Sequence, residues 1–246
     1  MNTSPNPVAV QGLHVAFGKR RVLDGLDFEL VRGSATALVG DNAAGKSTLL
    51  RVLIGTLVPD RGSMRVLGLD PARDGAKLRA RVGYVADRFE VPSWMRARDW
   101  LNFLSRLYPT WSRDEERRLC SLLGLDASEL VRELSKGNRA KLGLVAALAH
   151  APELLLLDEA FSGLDLGTRE RFSAAVIDHL RDEGRTVLLV SHALADVERV
   201  CDRVAVLDGG RIVQEGDLET IAHAPRGGLD LEGALRREHA TAEVTA

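Results

Sequence analysis

The residues best placed to do chemistry lie in one stretch, Gly40-Asp41-Asn42-Ala43-Ala44-Gly45-Lys46-Ser47-Thr48. The apolar run Ala35-Thr36-Ala37-Leu38-Val39 precedes it and reads as a short buried strand. Leu49 to Ile54 follows and reads as a buried helix. Strand, glycine-edged loop, Lys-Ser and helix form the context in which G-x-x-x-x-G-K-[ST] cradles phosphate. The first turn of a helix leaves N–H groups without partners, and its dipole favours negative charge. A loop wrapped round that helix start aims its amides at a triphosphate. In that geometry Lys46 reaches the β- and γ-phosphates and the Ser47 hydroxyl ligates Mg²⁺.

A second chemical pair, Asp158-Glu159, follows Leu154-Leu155-Leu156-Leu157 directly. Carboxylates at the end of a buried strand are costly unless they meet a cation or strong donors. A magnesium triphosphate supplies both. Asp158 is placed to hold Mg²⁺, directly or through water. Glu159, one residue on, is placed to take a proton from the attacking water or to orient it.

Several elements must position these groups. Residues 8–17 and 22–31 read as two strands joined at Gly18-Lys19-Arg20-Arg21. Pro59-Asp60-Arg61-Gly62 reads as a turn, and Met64–Leu67 and Val82–Val85 as further strands. Composition then changes: Tyr84 to Trp111 holds all three tryptophans. Trp100, Leu101, Leu104, Leu107 and Tyr108 share one helical face, which Pro109 closes. Arg113–Leu123 and Ala140–Ala149 read as two more helices, so residues 88–149 form a mainly helical insertion. The four leucines read as a strand buried on both faces of a parallel sheet. Phe172–Leu180 is helical, Thr186–Val190 is another buried strand, and Asp208-Gly209-Gly210 joins the hairpin strands Val204–Leu207 and Arg211–Gln214. A short helix over 229–240 ends the chain.

Composition narrows the function. A net charge of −2 points to neither nucleic acid nor an anionic membrane surface. Cys120 and Cys201 are the two cysteines, far apart and outside any metal-like spacing, which suits a reducing cytoplasm. Met1–Pro7 has no secretory pattern. The longest apolar region, Leu142–Leu157, is broken by His150, Pro152 and Glu153, so it does not span a membrane. A membrane role therefore calls for a partner.

With residues 40–48 as Walker A and 154–159 as Walker B, four further stretches fall in a telling order. They are Phe17-Gly18, Leu134-Ser135-Lys136-Gly137-Asn138, Ser162-Gly163-Leu164-Asp165 and Ser191-His192. The chain resembles the nucleotide-binding subunit of an ABC transporter over roughly residues 8–222. The resemblance implies an α/β P-loop (RecA-like) core with a mostly parallel sheet, an antiparallel β subdomain and an inserted α-helical subdomain. It implies one ATPase domain over 1–222, with core 8–87 and 150–222, helical part 88–149 and a tail over 223–246. ATP and Mg²⁺ are the implied ligands. Phe17 stacks on adenine, and Gly40, Asp41, Asn42, Ala43, Ala44, Gly45, Lys46, Ser47 and Thr48 hold the phosphates. Ser47, Asp158 and Asp87 serve the metal, and Glu159, His192 and Lys46 the reaction. Ser135, Lys136, Gly137 and Asp165 act in trans, on ATP held by a second cassette, identical or a sister chain. An integral-membrane permease is the other implied partner, with no nucleic acid, which places the chain in the cytoplasm on the inner face of the cell membrane.

Three positions depart from the family pattern. Ala43 stands for a usual glycine, Lys136 and Asn138 replace Gly and Gln in the signature, and Asp87 stands where the Q-loop Gln is expected. A carboxylate is a good ligand for a hard cation, so Asp87 is expected to ligate Mg²⁺. The signature variant points toward exporters. The aromatic segment beyond Asp87 is the candidate docking surface, with Phe89, Trp94 and Met95 expected exposed and Trp100, Leu101 and Leu104 buried. ATP-driven export through a separate permease leads. A soluble assembly ATPase of iron–sulfur type, or an ATP-gated module with little turnover, are the alternatives.

Overall fold

The computed structural model describes residues 6–87 and 90–222. Phe89 and the expected helix over 229–240 lie outside them. The chain opens with β1 (Val8–Phe17) and β2 (Arg20–Leu30), then β3 (Ala35–Val39) and α1 (Lys46–Leu53). Next come β4 (Arg61–Val66), α2 (Gly75–Arg79) and β5 (Val82–Val85). Three helices follow: α3 (Ala97–Leu104), α4 (Arg113–Leu123) and α5 (Lys136–Leu148). The remainder is β6 (Leu154–Asp158), α6 (Leu166–Leu180), β7 (Thr186–Val190), α7 (Leu194–Val200), β8 (Arg203–Asp208), β9 (Arg211–Asp217) and α8 (Leu218–Ala222).

Two sheets carry the fold. The larger runs β5-β6-β7-β3-β8-β9, parallel except for the β8–β9 hairpin. The smaller is antiparallel, in the order β2-β1-β4. This is the expected α/β arrangement. Side chains alternate across a strand, so the four leucines of β6 divide between two cores. Leu155 and Leu157 pack toward α3–α6, whereas Leu154 and Leu156 pack toward α1 and the smaller sheet. All four are fully buried, each contributing on the order of 1.5–3 kcal/mol. Burial of both faces pins the strand ends, and the chemistry sits at those ends.

Several boundaries differ from expectation for local reasons. Helix α5 starts four residues before Ala140, because Ser135 Oγ accepts from Asn138 N–H at 3.1 Å and caps it. Helix α6 starts at Leu166 because Asp165 Oδ1 accepts from Thr168 N–H at 2.9 Å. Strand β4 begins at Arg61, inside the expected turn. Helix α3 ends at Leu104, so Leu107 leaves the apolar face and is 58% exposed. Trp94 is exposed and Leu101 buried, as expected. Met95, expected exposed, and Trp100 and Leu104, expected buried, are all half-buried; Trp100 and Leu104 pack one side against the core and turn the other to an open cleft beneath α3.

Candidate active site

The phosphate loop leaves β3 at the centre of the larger sheet. Gly40 enters it with φ 150°, and a Cβ there would meet the Leu207 carbonyl oxygen at 2.0 Å. Only glycine passes under that strand. Gly45 closes the loop with φ 112°, packed on Val22 and Leu23. Between them Ala43 holds φ 69°, a left-handed conformation that its methyl makes costly. Lys46 is buried, and its ammonium donates to the Gly40 carbonyl and to the Asp41 carbonyl, the latter at 3.2 Å.

The loop borders a cleft of about 430 Å³. Phe17 stands at its edge, 52% exposed, so its ring is not core packing. Asp41–Ala43 and Gly45–Thr48 line the cleft, as do Asp87, Asp158 and Glu159. Gly40 and Ala44 belong to the loop without lining it.

Ser47 Oγ donates to Asp158 Oδ1 at 3.1 Å, and the Tyr84 hydroxyl donates to Oδ2 at 3.4 Å. Burial pushes the Asp158 carboxyl above the usual range, and the charges of Glu159 and Asp87 push it further. The bonds from Ser47 and Tyr84 oppose that rise. A carboxylate in such surroundings is stabilised by a cation. Ser47 and Asp158 are hard oxygen donors that fit Mg²⁺, which takes few protein ligands and keeps water and phosphate oxygens. No group of three or more His, Cys, Asp or Glu among the described residues could hold a metal ion by itself.

Glu159 lies one residue beyond β6 with φ 51°, a strained conformation for a non-glycine residue. Its amide is tied to the Val190 carbonyl at 3.0 Å. His192 Nδ1 donates to Glu159 Oε2 at 2.7 Å. Adjacent parallel strands thus bring the carboxylate and the imidazole together from 33 residues apart.

Ser135, Gly137 and Asp165 lie outside this cleft. Lys136 lines a second cleft of about 490 Å³, which shares Asp87 and Glu159 with the first. Its ammonium donates to Ser162 Oγ at 3.4 Å, and its stem covers Gly163. Ser135 and Asp165 both serve as helix caps.

Sequence reasoning missed Arg20, Val22 and Val190 at the nucleotide cleft, and Tyr84, whose hydroxyl reaches Asp158 from outside that cleft. Arg20 follows Phe17-Gly18 closely enough to have been found. Tyr84 carried no signal, since an aromatic in a strand reads as core.

A phosphate loop after a central parallel strand, with a metal-ready carboxylate ending the strand two places away in the same sheet, defines a P-loop nucleotide-binding protein. The family model described as ABC transporter matches residues 23–162. A daunorubicin resistance ATP-binding protein of Streptomyces coeruleorubidus is 35% identical, over 93% of this chain and 73% of its own length. A Nod factor export ATP-binding protein of Neorhizobium galegae is also 35% identical, over 87% of this chain and 63% of its own length. A solved ATP-binding subunit of an ABC transporter superposes with a TM-score of 0.82 at 28% identity, covering 93% of this chain and 99% of that one. The chain belongs to the ABC transporter ATP-binding family.

Proposed function

We propose that this chain hydrolyses ATP as one of two paired cassettes and that their closure drives export through a separate membrane permease. The observation that carries this is the Glu159–His192 contact of 2.7 Å, poised at the edge of the phosphate-loop cleft. Phe17 stacks on the base, the loop amides and Lys46 grip the phosphates, and Ser47 and Asp158 hold Mg²⁺, with Asp87 beside them. When bound there, Mg²⁺ would neutralise charge on the phosphates. Glu159 takes the proton of the attacking water, and His192 holds the carboxylate in place.

A second subunit is required because the signature residues stand outside the chain's own nucleotide cleft. The start of α5, with Ser135, Lys136 and Gly137, is left to face the γ-phosphate of the opposing chain, with Asp165 beside it. Export follows the name of the Nod factor export relative. The docking face is the cleft of about 220 Å³ beneath α3, lined by Tyr84, Trp100, Leu104 and Tyr108 with Arg79 at one side. Trp94 and Phe103 are large exposed apolar side chains of the same region, of the kind enriched at interfaces. No helix among the described residues is long and apolar enough to cross a membrane.

Glu159→Gln tests it. Phosphate release should fall at least a hundredfold, as expected for a lost general base (about 10²–10⁴-fold). ATP-dependent dimers should accumulate on size exclusion. Turnover that survives this change would remove Glu159 from the reaction.

A further inference from the structure

Behind Glu159 and His192 a chain of polar contacts runs to the other end of the site. Ser191 is buried; its hydroxyl donates to Asp196 Oδ2 at 3.3 Å and accepts from Ala193 N–H at 3.1 Å. It therefore brackets His192 from both sides in sequence. Asp196 lies in the first turn of α7 and is 2% exposed. Its Oδ1 faces Arg169 Nε at 3.4 Å. Both atoms are fully buried, yet neither makes a well-formed hydrogen bond among the described residues.

Arg169 lies in the first turn of α6, where its amide donates to the Asp165 carbonyl at 2.8 Å. Asp165 in turn caps that helix. The other charges that act on Asp196 are Arg199, on its own helix, and His192. Facing charged atoms that are buried without a well-formed hydrogen bond are an expensive arrangement, even with the rest of the Arg169 side chain 28% exposed. At 3.4 Å the two atoms are close enough for a reorientation of the guanidinium to turn the contact into a bonded pair.

We infer that Arg169 and Asp196 are a positioning pair: engagement of Asp165 by the second subunit draws Arg169 onto Asp196, and Asp196, through Ser191, fixes His192 against Glu159. This rests on the two-cassette ATPase reading above. Neither residue touches nucleotide; both act through His192.

The test uses the full chain with Mg²⁺ and ATP. Asp196→Asn should lower kcat about tenfold, the scale of a modest loss of alignment, and leave KM for ATP unchanged. Arg169→Lys, which keeps the charge, should retain most of kcat, whereas Arg169→Met should lose as much as Asp196→Asn. Unchanged kcat in Asp196→Asn overturns the inference. So does a lower Tm with normal kcat, or a KM that rises in step with the fall in kcat. Should Asp196→Asn fail to fold, the Arg169 pair decides: equal kcat for Lys and Met overturns the inference. A wild-type chain without turnover overturns the functional reading as well, while turnover indifferent to these variants overturns the pair alone.

Discussion

Of the four non-glycine residues with positive φ among the described residues, two stand where the chemistry is and two, Leu67 and Ala151, do not. Glu159 and Ala43 are both non-glycine residues with positive φ, and both line the nucleotide cleft. The strain has a clear use at Glu159: the turn lifts the carboxylate away from the sheet and onto His192. Ala43 has no such partner. Replacing it with glycine removes about 1–2 kcal/mol of left-handed strain and adds about 0.5–1 kcal/mol of chain entropy to be lost on folding. Ala43→Gly should therefore raise the urea midpoint slightly, by less than about 1 kcal/mol of stability, with ATP binding retained. A fall in stability would mean that the methyl makes a contact worth more than the strain.

Helix starts make the same point one level up. Ser135 and Asp165 were singled out as residues that act in trans, and each is also the cap of its own helix. The two roles separate by substitution. Ser135→Ala should cost about 1 kcal/mol of stability and reduce turnover. Ser135→Asp keeps the cap and hence the stability, but sets a negative charge toward the phosphate, so turnover should stay low. Paired urea melts and ATPase assays would check this; full activity in Ser135→Asp would leave the residue as a cap alone. The caps also show what was legible in the sequence. The phosphate loop, the leucine strand and the β8–β9 hairpin could be read because burial on both faces and Gly-Gly turns leave strong local patterns. The first turns of α5 and α6 could not, because their apolar periodicity starts late and Leu166 faces solvent at 68% exposure. Helices α2 and α7, of 5 and 7 residues, are too short to show a period. The Glu159–His192 contact depends on β6 lying beside β7, which no local pattern encodes. The Arg169–Asp196 pair needs a further contact, between α6 and α7.

For the molecule as a whole, buried histidines set the acid limit. His179, on α6, is 7% exposed, and burial, with help from Arg185 and His150, pulls its pKa down to about 3. The Arg185 guanidinium contacts His179 Nδ1 at 2.9 Å. Arginine can only donate, so that nitrogen is an acceptor and the ring is neutral. His150, 2% exposed, stacks on Tyr108 with ring centroids 4.2 Å apart, and its pKa is also lowered by burial. His150 joins the end of α5 to the segment between α3 and α4, where Thr110 Oγ1 donates to the His150 carbonyl at 2.7 Å, while His179 ties α6 to Arg185 in the turn that follows it. An unfolded histidine titrates near 6.5 and the folded His179 far below it. The unfolded state therefore binds more protons in between, and the stabilisation present above pH 6.5 is lost as pH falls. His179 alone gives a slope of about 1.4 kcal/mol per pH unit, or about 2 kcal/mol between pH 6.5 and 5. Against a total of about 5–15 kcal/mol that is enough to move a urea midpoint clearly. Urea unfolding at pH 7.5, 6.5 and 5.0 should show the decline, and His179→Leu, though less stable at pH 7.5, should show a flatter one. Identical slopes in wild type and variant would mean that His179 is protonated without opening this joint, and the acid sensitivity would then belong to other groups.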